Sequence, residues 1–149
     1  MAKGPKRALT VTIRITGYRE LVRAFRNYPD DAIKELRAAG LSISGAVADK
    51  IRISARAQRQ SALLAPTVKA VKDQNFPTIE AGGTRRVGRN SKPAYKVLFG
   101  SEFGSKTYKQ FRLFDAEGFW FFITVKANGQ FIEREYLEAV DEINRKWAL

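Results

Sequence analysis

Four cations fall within eight residues at Arg85, Arg86, Arg89 and Lys92, in a glycine-containing stretch that runs from Ala81 to Pro93, and Lys96, Lys106, Lys109 and Arg112 follow closely. A cluster this dense neutralises several phosphates at once, which supports salt-sensitive, sequence-blind binding of DNA or RNA. Contact with an acidic protein surface is the other chemistry it serves, and the residue types alone do not separate the two. Tyr95, Phe99, Phe103, Tyr108 and Phe111 interleave with the cations. They are either stacking platforms for a single strand or the inward face of strands packed on a helix.

Covalent chemistry finds few candidates. The chain contains no cysteine and no histidine, so thiolate zinc sites, cysteine nucleophiles and the usual base near neutral pH are all missing. Gly82, Gly83 and Gly88 are not followed by the Gly-Lys-Ser/Thr that a phosphate-cradling loop needs. Carboxylate pairs occur at Asp30/Asp31, Asp115/Glu117 and Asp141/Glu142. The first falls at a helix start and the last on an exposed helix face, where capping and ion pairing account for them. The sequence predicts no enzyme, no cofactor and no metal site.

The second candidate set is aromatic. Phe119, Trp120, Phe121 and Phe122, with Phe103, are of the types that anchor protein interfaces, and a core role is the competing account. As interface anchors they predict that Trp120→Ala impairs assembly more than Arg86→Ala. Lys and Arg outnumber Asp and Glu 27 to 15, a net charge of +12. The surplus is uneven: residues 1–60 carry 13 basic and 5 acidic groups, whereas residues 113–149 carry 4 and 7. A basic body with an acidic end lets copies attract one another head to tail.

The elements that must position these residues follow from periodicity. A length of 149 residues suits one domain, read as a basic arm over 1–8 and a single domain over 9–149. Leu9, Val11, Ile13 and Ile15 alternate with polar residues and predict a strand over 9–16. A short helix is predicted from Tyr18 to about Tyr28, with Pro29 ending it and Asp30 or Asp31 capping the next. Ile33, Leu36, Gly40, Ile43, Val47 and Ile51 recur at steps of three and four, predicting a helix that reaches about Ala65. Thirty-odd residues make a rod roughly 50 Å long, more than a compact domain of this size uses. Gly40 and Gly45 either admit a neighbouring subunit or bend the helix around its own sheet.

Beyond it, Phe76–Glu80 reads as an edge strand because it holds Pro77, and 81–93 as a flexible loop. Ala94–Phe99 and Lys109–Phe114 read as strands. Gly118–Val125 is apolar on both faces, a buried central strand or a contact segment. Asn128 is placed to cap a last helix carrying Ile132, Tyr136, Val140, Ile143 and Trp147, with Asp141–Arg145 and Glu142–Lys146 as i,i+4 pairs. No apolar run is long enough for a membrane span or a signal peptide, so the expectation is a soluble protein made in the cytoplasm.

Taken in order, these segments resemble the tail-component proteins of long-tailed bacteriophages, the neck or tail-completion proteins of the head-to-tail connector. The resemblance rests on Thr16-Gly17-Tyr18-Arg19-Glu20-Leu21, on a long helix ending in Ser54-Ala55-Arg56-Ala57, on Val97–Ser105 with its Glu102-Phe103-Gly104, and on Gly118–Asn128 followed by Tyr136–Asp141. Two departures stand out: the segment after the long helix is reduced to Pro66-Thr67, and Ile123 replaces a frequent proline, which allows 118–125 to be an extended arm. The resemblance implies an α+β fold, a small antiparallel sheet packed by a long helix from the N-terminal half and by a C-terminal helix. It also implies a homo-oligomeric ring, sixfold, at the head–tail joint of the virion. Its partners there are neighbouring connector and tail proteins and passing duplex DNA.

Overall fold

The computed structural model describes residues 8–12, 18–71, 78–107, 110–112 and 114–147. Expectations for the arm 1–7, Ile13, Ile15, Phe76, Pro77, Tyr108 and Lys109 lie outside the described residues. The fold is α+β. Strand β1 (Ala8–Thr12) leads to α1 (Tyr18–Ala24), a 3-10 turn at Phe25–Asn27, and the long helix α2 (Asp30–Arg56). After it come α3 (Arg59–Ala62), a 3-10 turn at Ala65–Thr67, β2 (Lys69–Val71) and β3 (Thr78–Gly82). A two-stranded hairpin of β4 (Arg86–Val87) and β5 (Lys92–Pro93) precedes α4 (Tyr95–Phe103), α5 (Phe122–Ala127) and α6 (Gly129–Trp147).

The sheet has the order β1-β3-β2, antiparallel throughout, with Leu9 opposite Ala81 and Ile79 opposite both Val11 and Ala70. β3 is therefore the central strand and not an edge, and Thr78 and Ile79 are both buried. Its pairing on two sides demands N–H groups all along it, which the residues after Pro77 supply. The inward residues Leu9, Ile79 and Ala81 share a core with Ile43, Val47, Ile51 and Ala55 of α2. A second cluster joins Phe25, Ala32, Leu36 and Ile143, where α6 crosses the first turns of α2.

Helix α2 stops at Arg56, nine residues short of the expected Ala65. Gln58 is extended, and the Ser61 hydroxyl donates to the Ala55 carbonyl at 2.5 Å, so a side chain takes one of the helix-end acceptors that a further turn would have used. The apolar pattern continues across the break because Leu64 and Ala65 return to the same core. Gly40 is buried, while the space outside Gly45 is open. At the start of α2 the N-cap position is Pro29 and no side chain caps it; Asp30 and Asp31 sit inside the first turn and act through the helix dipole instead.

Three further expectations change. Ala94–Phe99 is not a strand: Ala94 is the N-cap and Tyr95–Phe99 the first part of α4, whose buried residues Val97, Leu98, Ser101 and Glu102 recur at helical spacing. Residues 110–112 and 114 form no strand: Ser105 N–H donates to Arg112 O at 2.8 Å and Asp115 N–H to Phe103 O at 2.7 Å, folding the loop back onto the end of α4. The expected loop 81–93 instead begins with Ala81 and Gly82 in β3, and its residues 86–93 form a hairpin that Ala94 N–H closes onto Arg85 O at 2.7 Å.

At the far end, Asn128 precedes α6, but its side chain turns away from it. Its Oδ1 accepts from Lys50 Nζ at 3.0 Å and its Nδ2 donates to Thr124 O at 2.7 Å. The i,i+4 pairs of α6 are also replaced: Arg145 Nε donates to the Asp141 carbonyl, and Lys146 Nζ reaches across to Glu35 of α2 at 2.6 Å. The Lys146 hydrogen bond holds the Glu35 carboxyl below its ordinary value of 4.5. A lowered folded-state value means that this tether contributes above the unfolded value and is lost as pH falls through the folded one. In Lys146→Met the Glu35 titration followed by NMR should move back up towards 4.5; an unmoved midpoint would show that the pair does not form.

Candidate functional site

Two regions gather the residues singled out by sequence: a buried carboxylate at the turn between two distant segments, and a basic outer face around the hairpin.

The first is built on Glu102, which is fully buried in the last turn of α4. Its Oε1 accepts from the backbone N–H groups of Phe119 at 2.8 Å, Trp120 at 2.8 Å and Phe121 at 3.1 Å. Its Oε2 accepts from Phe121 at 3.1 Å and Phe122 at 2.8 Å. Four successive peptide donors thus converge on one carboxylate, and the last two, from the N-cap Phe121 and from Phe122, are among the orphan N–H groups that open α5. No ion pair joins Glu102 to a cation among the described residues, so peptide dipoles carry the compensation.

This arrangement explains why 118–125 is neither a central strand nor an extended arm. A strand hands its N–H groups alternately to two sides, whereas donors aimed at a single point require a curled backbone. Gly118 makes the curl possible. It has φ +88°, and a Cβ there would lie 2.8 Å from the carboxyl carbon of Glu102, too close for any other residue.

The aromatics of the turn are packed by the same unit. Trp120 and Phe121 are fully buried, and Trp120 Nε1 donates to Ser101 Oγ at 3.2 Å. Phe121 meets Trp120 and Phe122 edge-on with ring centroids 5.8 and 5.0 Å apart, and Phe103 stacks on Phe122 at 5.9 Å. Phe119, Phe122 and Phe103 are half-buried against the core. Of the candidate interface set, Trp120 and Phe121 have no surface left to offer a neighbour, and Gly40 lies beneath the α2 surface; Gly45 keeps an open face. Glu102 itself was named by sequence only inside a resembling segment. The signal that marks it is a lone carboxylate in the apolar run Val97–Phe103, for which burial demands a full set of donors.

The basic face is assembled by the hairpin. Its register sets Arg86 opposite Pro93 and Val87 opposite Lys92, with Arg89 in the turn. Arg85, Arg86, Arg89, Lys92 and Lys96 are all exposed. Arg85 Nη1 donates to Pro66 O at 3.0 Å and Arg86 Nη1 to Ser91 O at 2.6 Å, which orients both guanidiniums. Lys106 and Arg112 lie over the rings of Phe114 at 5.6 Å and Phe119 at 5.1 Å. Among the interleaved aromatics Phe103 and Phe111 pack on the core, while Phe99 stays exposed. Of the described cations, Arg85, Arg86, Arg89 and Lys92 lie on or beside the hairpin, Lys96 lies on α4, and Lys106 and Arg112 lie over aromatic rings.

Among the described residues, no group of three or more His, Cys, Asp or Glu is placed to hold a metal ion, and no helix is long and apolar enough to cross a membrane. Chemically, the buried carboxylate is a structural acceptor of four backbone N–H groups, and the exposed cations form a positively charged surface. Set against family models, curated proteins and solved structures, the chain matches none of them.

Proposed function

We propose that this chain is a structural protein of the bacteriophage head-to-tail connector, a neck or tail-completion subunit that assembles as a ring in the virion. The observation that carries the reading is the meeting of two segments on which the resemblance rests. Glu102 of Val97–Ser105 accepts the N–H groups of residues 119–122, which belong to Gly118–Asn128. Segments that travel together in a sequence family acquire a physical reason when one is the other's hydrogen-bond partner. Ile53 at 65% and Leu137 at 60% exposure add apolar surface suited to contact with neighbouring proteins. A protein of this kind works by complementary faces and transforms no substrate.

The test is deletion of the gene from the phage that carries it, with electron microscopy of the lysate. Filled heads and finished tails should accumulate unjoined, and labelled antibody should mark the joint in the parent particles. Joined, infectious particles lacking the polypeptide would overturn the reading.

The exposed hairpin cations favour a second reading, a non-enzymatic DNA- or RNA-binding protein. As a connector subunit the chain should bind duplex DNA weakly and release it by roughly physiological salt. Submicromolar binding that survives such salt in a gel-shift titration would support the second reading.

A further inference from the structure

An open groove of about 470 Å³ lies between α2 and α6. Ser42 and Ala139, too small to fill it, line it together with Glu135, Glu138 and Glu142. The spacing of three and four puts the three carboxylates on one stripe of α6. Arg145 is the one cation among the lining residues, and none of the three carboxylates is ion-paired to a cation among the described residues. The hairpin presents the opposite deficit: Arg85, Arg86, Arg89 and Lys92 are exposed and none pairs with a carboxylate among the described residues.

The two surfaces belong to opposite stretches of the molecule. The groove touches α2 at Ser42, whereas the hairpin leans on Leu63, beyond the end of α2, where Gly88 comes against the leucine methyls. Fourteen helical residues separate Ser42 from Arg56, about 21 Å along the axis, and no ion pair joins the two surfaces within one chain among the described residues. A patch that met its own copy about a twofold axis would set like charges together. Opposite charges displaced along the molecule instead favour contact between unlike patches, which in a heterologous arrangement closes into a ring or runs on as a filament.

We propose that the β4–β5 hairpin of one copy docks in the α2–α6 groove of the next, with Arg86, Arg89 and Lys92 facing Glu135, Glu138 and Glu142. This deepens the connector reading, on which it rests, by naming the contact between copies. Leu41 and Leu137, exposed and each one residue from a lining position, supply the apolar area that charge alone lacks. Because the charges are exposed, they set specificity and encounter rate and are screened by salt.

The experiment uses the full chain, with light scattering and sedimentation at low and physiological ionic strength. The parent protein should form species larger than dimers at low salt, with apparent association weakened about tenfold or more at physiological salt. Arg86→Glu with Arg89→Glu should be monomeric, as should Glu138→Lys with Glu142→Lys. Mixing these two variants should give a one-to-one dimer that grows no further, since one intact pair of surfaces remains. Combining all four changes in one chain should restore assembly. The sites are exposed, and circular dichroism checks folding; Arg89→Gln and Glu138→Gln provide milder versions that should weaken association in the same order. Reversal variants that assemble like the parent, or a mixture that stays monomeric, would overturn the contact, as would a parent protein monomeric at low salt. Rings indifferent to the reversals would remove this contact and leave the connector reading standing, whereas joined particles without the polypeptide would remove that reading whatever the variants do.

Discussion

Glu102→Leu is expected to cost about 3–5 kcal/mol of folding stability, a large share of the roughly 5–15 kcal/mol that holds a domain together. The leucine fills similar space but accepts nothing, leaving the N–H groups of Trp120, Phe121 and Phe122 without their carboxylate acceptor, while Phe119 N–H keeps its bond to the backbone carbonyl of residue 102 at 2.7 Å. Each buried donor left unmade costs about 1–3 kcal/mol, and water reaching the half-buried ends of the turn recovers part of it. Glu102→Gln keeps one acceptor oxygen and turns an NH2 group towards the other donors, so about half the loss is expected. Urea unfolding followed by circular dichroism should give a lower midpoint with an unchanged slope. A loss under about 1 kcal/mol would mean that the turn holds itself and that Glu102 is incidental.

Trp120→Ala is the second large effect, and its origin differs from the one expected by sequence. Trp120 is the largest fully buried side chain, and its removal should cost about 3–5 kcal/mol through lost transfer energy and the cavity left behind. The partner of its indole N–H, Ser101 Oγ, keeps its own bond to the Leu98 carbonyl at 2.9 Å, so little polar penalty is added. The variant should melt well below the parent, while its folded fraction assembles normally; Arg86→Ala should melt like the parent and assemble less well. A Trp120→Ala protein with parental melting and lost assembly would return the aromatic run to the interface. Glu102 and Trp120 share the same turn, so the two losses should not add, and a double-mutant cycle should report coupling above about 0.5 kcal/mol.

Much of the frame was legible. The stripe Leu36, Gly40, Ile43, Val47 and Ile51 located α2, Leu9 and Val11 located β1, and Ile132, Tyr136 and Ile143 located α6, because each element buries one face and periodicity records which face that is. Failures cluster where a segment's neighbour is distant in sequence. Val97, Leu98 and Phe99 have strand-forming side chains, yet they lie in a helix because Glu102 must come round to the same side as Val97 and Leu98. Gly118–Val125 looked extended because nothing local tells of a carboxylate sixteen residues before Gly118 that collects its N–H groups.

The candidate site divides along the same line. Composition alone determined the chemistry that the chain is denied: without histidine or cysteine it has neither the common base nor the thiolate. Order along the chain determined the charge asymmetry between its two ends. Tertiary structure alone decided that Trp120 and Phe121 are spent on the core, that Arg112 and Lys106 lie over aromatic rings, and that the hairpin cations and the groove carboxylates have no ion-pair partner among the described residues. Side-chain type and local spacing set what a residue is able to do, but exposure and pairing depend on which remote backbone arrives beside it, and that is settled only when the elements pack.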